Sequence, residues 1–169
     1  MKLSIRNSTA ADIPAMFRIS VAAHQHGYGD FIPQQHRQEF DSLYTVNPGN
    51  EANYTEVIRA RLSDPSWLLW TAEIGNEIVG YTLAHRPDDA TLYKRGMFVS
   101  PGAQGAGVGS ALFKASTEFF KGTILLTVLQ KNIRAKHIYE KNGFVVIGQE
   151  SKKFFGATQD IMRRNPKTS

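Results

Sequence analysis

The segment Val99-Ser-Pro-Gly-Ala-Gln-Gly-Ala-Gly-Val-Gly-Ser-Ala-Leu-Phe113 carries the clearest chemistry in the chain. Gly105, Gly107 and Gly109 remove the side chains that would keep a ligand away from the backbone. The residues before the loop predict a strand. After it, Val108, Ala111, Leu112, Ala115 and Phe119 keep helical spacing. The first N–H groups of such a helix have no internal partner, and the positive end of the helix dipole lies behind them. That arrangement suits a pyrophosphate. Two rival phosphate loops fail on spacing. A Walker A loop ends in Gly-Lys-Ser/Thr, whereas Gly109 is followed by Ser110 with no lysine. A dinucleotide fingerprint needs G-x-G-x-x-G in a first βαβ unit, and this loop has the wrong last spacing and lies past mid-chain.

The loop has to be held by a fold. Leu3 and Ile5 predict a first strand, and Thr9 with Asp12 predicts a capping box before a helix carrying Ile13, Met16, Phe17, Ile19 and Val21. A looser stretch, 27–50, contains a short predicted helix over 34–44. Asn50 is read as the cap of the next helix, with Tyr54, Val57, Ile58, Arg61 and Leu62 on its stripe. Gly75-Asn76 is a hairpin turn between strands 67–74 and 78–85. A strand over 92–99 leads into the glycine loop. A buried strand, 124–129, follows its helix; a helix opened by Asn132 ends at Asn142-Gly143, and strands 145–147 and 159–162 close the chain. The order is β-α-α-α-β-β-β-α-β-α-β-β. It predicts an α/β (α+β) fold: one domain over 1–169, with a mixed twisted sheet of about six to seven strands flanked by helices.

Composition narrows the function classes. The chain has 169 residues, 41% of them apolar, and no cysteine. Disulfides, thiolate metal sites and a cysteine nucleophile are excluded. The N-terminal residues lack the apolar run of a signal peptide, and no stretch is long enough for a membrane helix, so a cytoplasmic protein with no membrane partner is expected. The formal charge of +5 is dispersed, without the aromatic-interleaved stripe of a nucleic-acid binder. His24 and His26 stand two apart, which does not place both on one helix face, so no metal is expected.

Four stretches together carry a resemblance. Gln104-Gly-Ala-Gly107-Val-Gly109 resembles the Q/R-x-x-G-x-G/A motif of the GNAT acetyltransferase superfamily. Residues 128–144 resemble its V-x-x-x-N-x-x-A-x-x-x-Y-x-x-x-G-F pattern through Asn132, Ala135, Tyr139, Gly143 and Phe144. Ile5-Arg6 to Asp12-Ile13 resembles a family opening, and Glu77-Ile-Val-Gly80-Tyr81 resembles its x-I-V-G-Y strand. The similarity spans about residues 3–162.

The resemblance implies the GNAT acyl-CoA N-acyltransferase fold and transfer of an acetyl group from acetyl-CoA, as co-substrate, to an amine of a small molecule, polyamine or peptide. Direct attack in a ternary complex is implied. The alternative is an acyl-CoA sensor or partner-binding module without catalysis. The backbone of Met97, Phe98 and Val99 would hold the pantetheine arm and polarise the thioester. Gln104, Gly105, Ala106, Gly107, Val108, Gly109 and Ser110 would cradle the pyrophosphate. Asn132 would contact the pantetheine region, and Tyr139 would protonate the leaving thiolate. Many members are dimers, so a homodimer is among the expected assemblies. The chain departs from the pattern at one place: no glutamate stands on the strand before the loop, where Tyr93 takes its approximate position. Glu73, His85, a water chain or bulk solvent are the alternatives for the base. Tyr28, Phe31 and Tyr44 either line an acceptor pocket or simply pack together.

Overall fold

The structure, a computed structural model, describes residues 2–166. Its strands are β1 (Leu3–Asn7), β2 (Trp67–Ile74), β3 (Glu77–His85), β4 (Thr91–Val99), β5 (Thr123–Leu129), β6 (Val145–Gln149) and β7 (Gln159–Arg164). The helices are α1 (Ile13–Gly27), α2 (Arg37–Leu43), α3 (Pro48–Ser63), α4 (Val108–Thr117) and α5 (Ile133–Lys141). The predicted order of elements is present throughout.

The seven strands form one sheet in the order β1-β2-β3-β4-β5-β7-β6. Every neighbouring pair is antiparallel except β4 and β5. A parallel pair needs a crossover, which the glycine loop and α4 supply. Helices α1 and α3 pack on one face through Ile13, Met16, Ile58 and Tyr81. Helix α4 covers the other face through Val108, Leu112 and Phe113.

Local sequence explains most boundaries. Thr9 and Asp12 form the expected capping box, and Arg6 bonds the Asp12 carboxylate at 2.7 and 2.8 Å. The Arg6 guanidinium and the Thr9 N–H hold that carboxyl below the usual carboxylate range. Several boundaries differ from the sequence reading, and two helix ends matter most. Helix α3 is capped by Asn47, not Asn50: Asn47 Oδ1 accepts the Asn50 N–H at 2.9 Å, and Pro48 takes the first helical position. Helix α4 stops at Thr117, so Phe119 is 45% exposed while Phe120 takes the buried place. The stretch 34–44 is a 3-10 turn over 34–36 followed by α2.

β4 holds an anomaly. Lys94 is 6% exposed, yet among the described residues its only hydrogen bond goes to Thr82 Oγ1 at 2.6 Å, and no carboxylate is paired with it. Its ammonium lies 5.8 Å from the centre of the Phe113 ring. Burial pulls the Lys94 ammonium down from 10.5 to about 7. Between those values the unfolded chain binds a proton that the folded chain has lost, so stability should rise with pH across that window and level off above it. Lys94→Met is therefore expected to stabilise the protein at pH 7 by roughly 1–4 kcal/mol, with the gain fading by pH 10.5. Urea unfolding at pH 7 and pH 10 checks this; a variant less stable than the parent at pH 7 contradicts it.

Candidate active site

The site begins where the sheet comes apart. β4 and β5 pair from Thr91–Thr123 to Lys94–Leu126 and no further, although β4 runs on to Val99 and β5 to Leu129. Beyond Lys94 the two strands bound an open wedge. Across β3, Gly96 faces Leu83 and Lys94 faces Ala84, so Arg95 is bulged out of the ladder just where the wedge opens. The Ser100 N–H donates to Val79 O at 2.8 Å. Strand alternation then turns the N–H groups of Met97 and Val99 away from β3 and into the wedge, while that of Phe98 faces β3. Phe98 offers its ring instead.

The glycine loop closes one end of the wedge. A 3-10 turn, Pro101–Ala103, leads to Gly105 and Gly107, with φ of +86° and +78°. Both lie in the left-handed region that glycine adopts without penalty. Gly107 caps α4, and a Cβ at either glycine would meet nothing within 4 Å. The first α4 bond runs from the Ala111 N–H to Gly107 O at 3.0 Å. The N–H groups of Val108, Gly109 and Ser110 precede it and are left for a ligand.

One cavity of about 1060 Å3 joins these parts. Met97, Phe98, Val99, Gln104, Gly105, Gly107, Val108, Gly109, Ser110, Asn132 and Tyr139 all line it; Ala106 is not on its wall. Asn132 Oδ1 accepts the Ala135 N–H at 3.1 Å and caps α5, which leaves its amide nitrogen for the cavity. Tyr139 packs its ring between Phe113 and Phe144, each 6.0 Å away. Its hydroxyl makes no hydrogen bond to a described residue. Burial pushes the Tyr139 phenol above its ordinary value of 10, so it keeps its proton at neutral pH.

Sequence reasoning missed a basic rim. Lys114, Arg134, Lys141 and Arg164 line the same cavity from α4, α5 and β7. Arg164 donates to Thr117 O at 2.9 Å, while its Nε is buried without a partner. Their spacing gave no motif, because three separate elements bring them together.

The base candidates are not brought to this cavity. Glu73 accepts hydrogen bonds from Arg6 at 2.5 and 2.9 Å. His85 stacks on Trp67 at 4.9 Å and faces Tyr93 at 6.4 Å. Tyr28 and Phe31 do line the cavity, but Tyr44 does not. It stacks on His24 at 3.8 Å. Among the described residues no group of three His, Cys, Asp or Glu could hold a metal ion, and no helix is long and apolar enough to cross a membrane.

Known proteins share this architecture. Residues 65–146 match the family described as the acetyltransferase (GNAT) domain. Uncharacterized N-acetyltransferases of Mycobacterium bovis and Mycobacterium tuberculosis are 33% identical over 91 residues, which is 52% of this chain and 58% of theirs. The matched part is thus little more than half the length of those relatives. The PaiA N-acetyltransferase of Thermoplasma acidophilum, solved with coenzyme A, superposes with a TM-score of 0.76 at 16% identity over 98% of this chain and 99% of its own. YncA of Salmonella typhimurium, solved with acetyl-CoA, superposes at 0.68 with 18% identity over 100% and 96%. At those identities the superpositions establish the fold. With the family match covering the wedge, the glycine loop and Tyr139, they support one conclusion: residues 65–146 are similar to the acetyltransferase (GNAT) domain, in a chain that has the fold of these acetyltransferases.

Proposed function

We propose that the protein is an N-acetyltransferase that moves the acetyl group of acetyl-CoA to a primary amine by direct attack in a ternary complex. One observation carries the reading. A single cavity joins a glycine loop with free N–H groups, the β4 N–H groups of Met97 and Val99, and the unbonded hydroxyl of Tyr139. Coenzyme A and acetyl-CoA are bound by the two solved neighbours, which supports acetyl-CoA as the co-substrate here.

In this reading the pyrophosphate lies on the N–H groups from Gly105 to Ser110, and the basic rim neutralises the remaining phosphate charge. The pantetheine arm extends β4 across the wedge, bonded by Met97 and Val99, with Asn132 on the opposite wall. The neutral amine attacks the thioester carbon. A β4 N–H stabilises the oxyanion that forms, and positioning supplies much of the acceleration. As the C–S bond breaks, Tyr139 donates to the sulfur, whose free thiol pKa is about 8.5. With no cysteine in the chain, the commonest acyl-enzyme nucleophile is missing. A single catalytic domain working in the cytoplasm belongs to the same proposal.

The sensor reading has one observation in its favour, since neither Glu73 nor His85 lines the cavity. Product analysis separates the two. Purified protein, acetyl-CoA and panels of aromatic amines, aliphatic amines, polyamines and peptides are incubated together, and acetylated products are read by mass spectrometry. Acetylation of one acceptor class is expected. Tight acetyl-CoA binding with no acetylated product from any class would favour the sensor.

A further inference from the structure

We infer that the acceptor is a weakly basic aromatic amine, with its nitrogen borne on the ring as in aniline, rather than a polyamine or other aliphatic ammonium. The inference rests on the transferase reading and names its acceptor. It comes from the two ends of the cavity, which differ in kind.

The side of the cavity between α4 and α5 is cationic. Lys114, Arg134, Lys141 and Arg164 line it, and Glu118 is the one carboxylate on the described wall. Glu118 is already 3.8 Å from the Lys114 ammonium. Phosphates suit that end. The other end is built from the last turn of α1 and the turn after it, with Tyr28, Phe31 and Phe98 on the wall and His26 exposed at its edge. No carboxylate lines that end; Asp30, on the same turn as Phe31, is exposed and off the wall. Asp41, which a cationic acceptor could have used, is bonded to Arg37 at 2.9 Å, and Asp88 is engaged by the Ala90 and Thr91 N–H groups.

Behind the wall the aromatic layer deepens. His24 is 7% exposed and stacks on Tyr44 at 3.8 Å and Phe98 at 4.9 Å, with Tyr28, Phe40 and Phe154 also against it. Its Nδ1 lies 2.8 Å from Ser20 O. A carbonyl only accepts, so the ring proton sits on Nδ1 and Nε2 is left as an acceptor. Burial keeps this imidazole neutral, down at about 4. The wall in front of it presents rings to the cavity and no carboxylate to pair with a substrate cation. Removing an unpaired ammonium from water costs several kcal/mol. Cation–π contact with the rings returns only about 0.5–2 kcal/mol. A neutral aromatic amine avoids the desolvation and gains ring stacking instead.

The lack of a carboxylate base points the same way, with His26 at the edge as the one imidazole on the wall. An aliphatic amine with a pKa near that of lysine is neutral in only about one molecule in 10³ at pH 7, so it needs a group to take its proton. Tyr93 stands where a base would be expected, and Glu73 is held by Arg6. An aniline nitrogen is already neutral at pH 7. Its lone pair attacks the thioester carbon, the C–S electrons leave with sulfur, Tyr139 gives sulfur a proton, and the nitrogen loses one proton to water. Solvent then reprotonates Tyr139. The products are the N-acetylated arylamine and CoA thiol.

The test compares aniline, benzylamine and spermidine as acceptors at pH 7, with products read by mass spectrometry. Aniline should exceed the other two in kcat/KM by roughly tenfold or more. Equal or better turnover of benzylamine or spermidine overturns the acceptor inference while leaving the transferase reading intact. If no amine is acetylated, the transferase reading fails, and binding to the CoA-loaded protein decides the acceptor end alone. Tighter binding of aniline than of benzylamine supports the inference, and the reverse order overturns it. Phe31→Glu adds the missing carboxylate to a partly exposed position and should shift preference toward benzylamine. Retained acetyl-CoA affinity certifies that the variant is folded. No shift in a folded variant counts against the inference.

Discussion

Tyr139→Phe is expected to lower kcat for acetyl transfer roughly 10²-fold while changing acetyl-CoA affinity by less than about twofold. The hydroxyl makes no hydrogen bond to a described residue, so its removal leaves no protein partner unsatisfied. The ring, packed between Phe113 and Phe144, is unchanged. What disappears is a donor to the departing sulfur, an interaction that strengthens as the C–S bond breaks. Because burial raises the phenol above 10, Tyr139 stays protonated throughout the physiological range. Its ionisation should therefore reduce activity only above pH 10. Stopped-flow detection of CoA thiol, with calorimetric binding beside it, reads both quantities. An unchanged kcat would remove Tyr139 from the chemistry.

Gly107→Val should weaken acetyl-CoA binding about 10²-fold, or roughly 2.7 kcal/mol. Gly107 has φ of +78° and ψ of 1°, a conformation that costs a non-glycine residue roughly 1–2 kcal/mol and a β-branched one more. The new side chain would enter open space at the mouth of the helix, where the pyrophosphate is proposed to lie. Gly102→Ala is the control. Gly102 has no positive φ, and its Cβ would meet nothing within 4 Å. It should leave stability within about 0.5 kcal/mol and binding unaltered. Equal affinity for Gly107→Val and its parent would show that the loop does not hold the ligand.

Much of this was legible in the sequence because it is local. The glycine loop, the Thr9–Asp12 capping box, the Gly75-Asn76 turn and the Asn132 cap each depend on residues a few positions apart. The errors are local too: Asn47 and Asn50 lie in one stretch, and Pro48 was the signal that favoured the earlier cap. What was not legible depends on tertiary contact. Phe154, on the β6–β7 connection, meets His24 of α1 only after the sheet is complete. That connection turns sharply at Phe155 and Gly156, where a Cβ at Gly156 would lie 2.4 Å from the His36 ring. The four cations of the rim come from three elements. Lys94 reads as a polar residue in a strand, but the bulge at Arg95 and the packing of Phe113 leave it inside.

The central claim is that the acyl donor lies across the wedge between β4 and β5. A crystal structure with acetyl-CoA bound tests it most directly. The account predicts pyrophosphate oxygens on the N–H groups between Gly105 and Ser110, the pantetheine bonded to Met97 and Val99, and the thioester sulfur within hydrogen-bond reach of the Tyr139 hydroxyl. A cofactor bound elsewhere, or a sulfur remote from Tyr139 with the loop unoccupied, would contradict it.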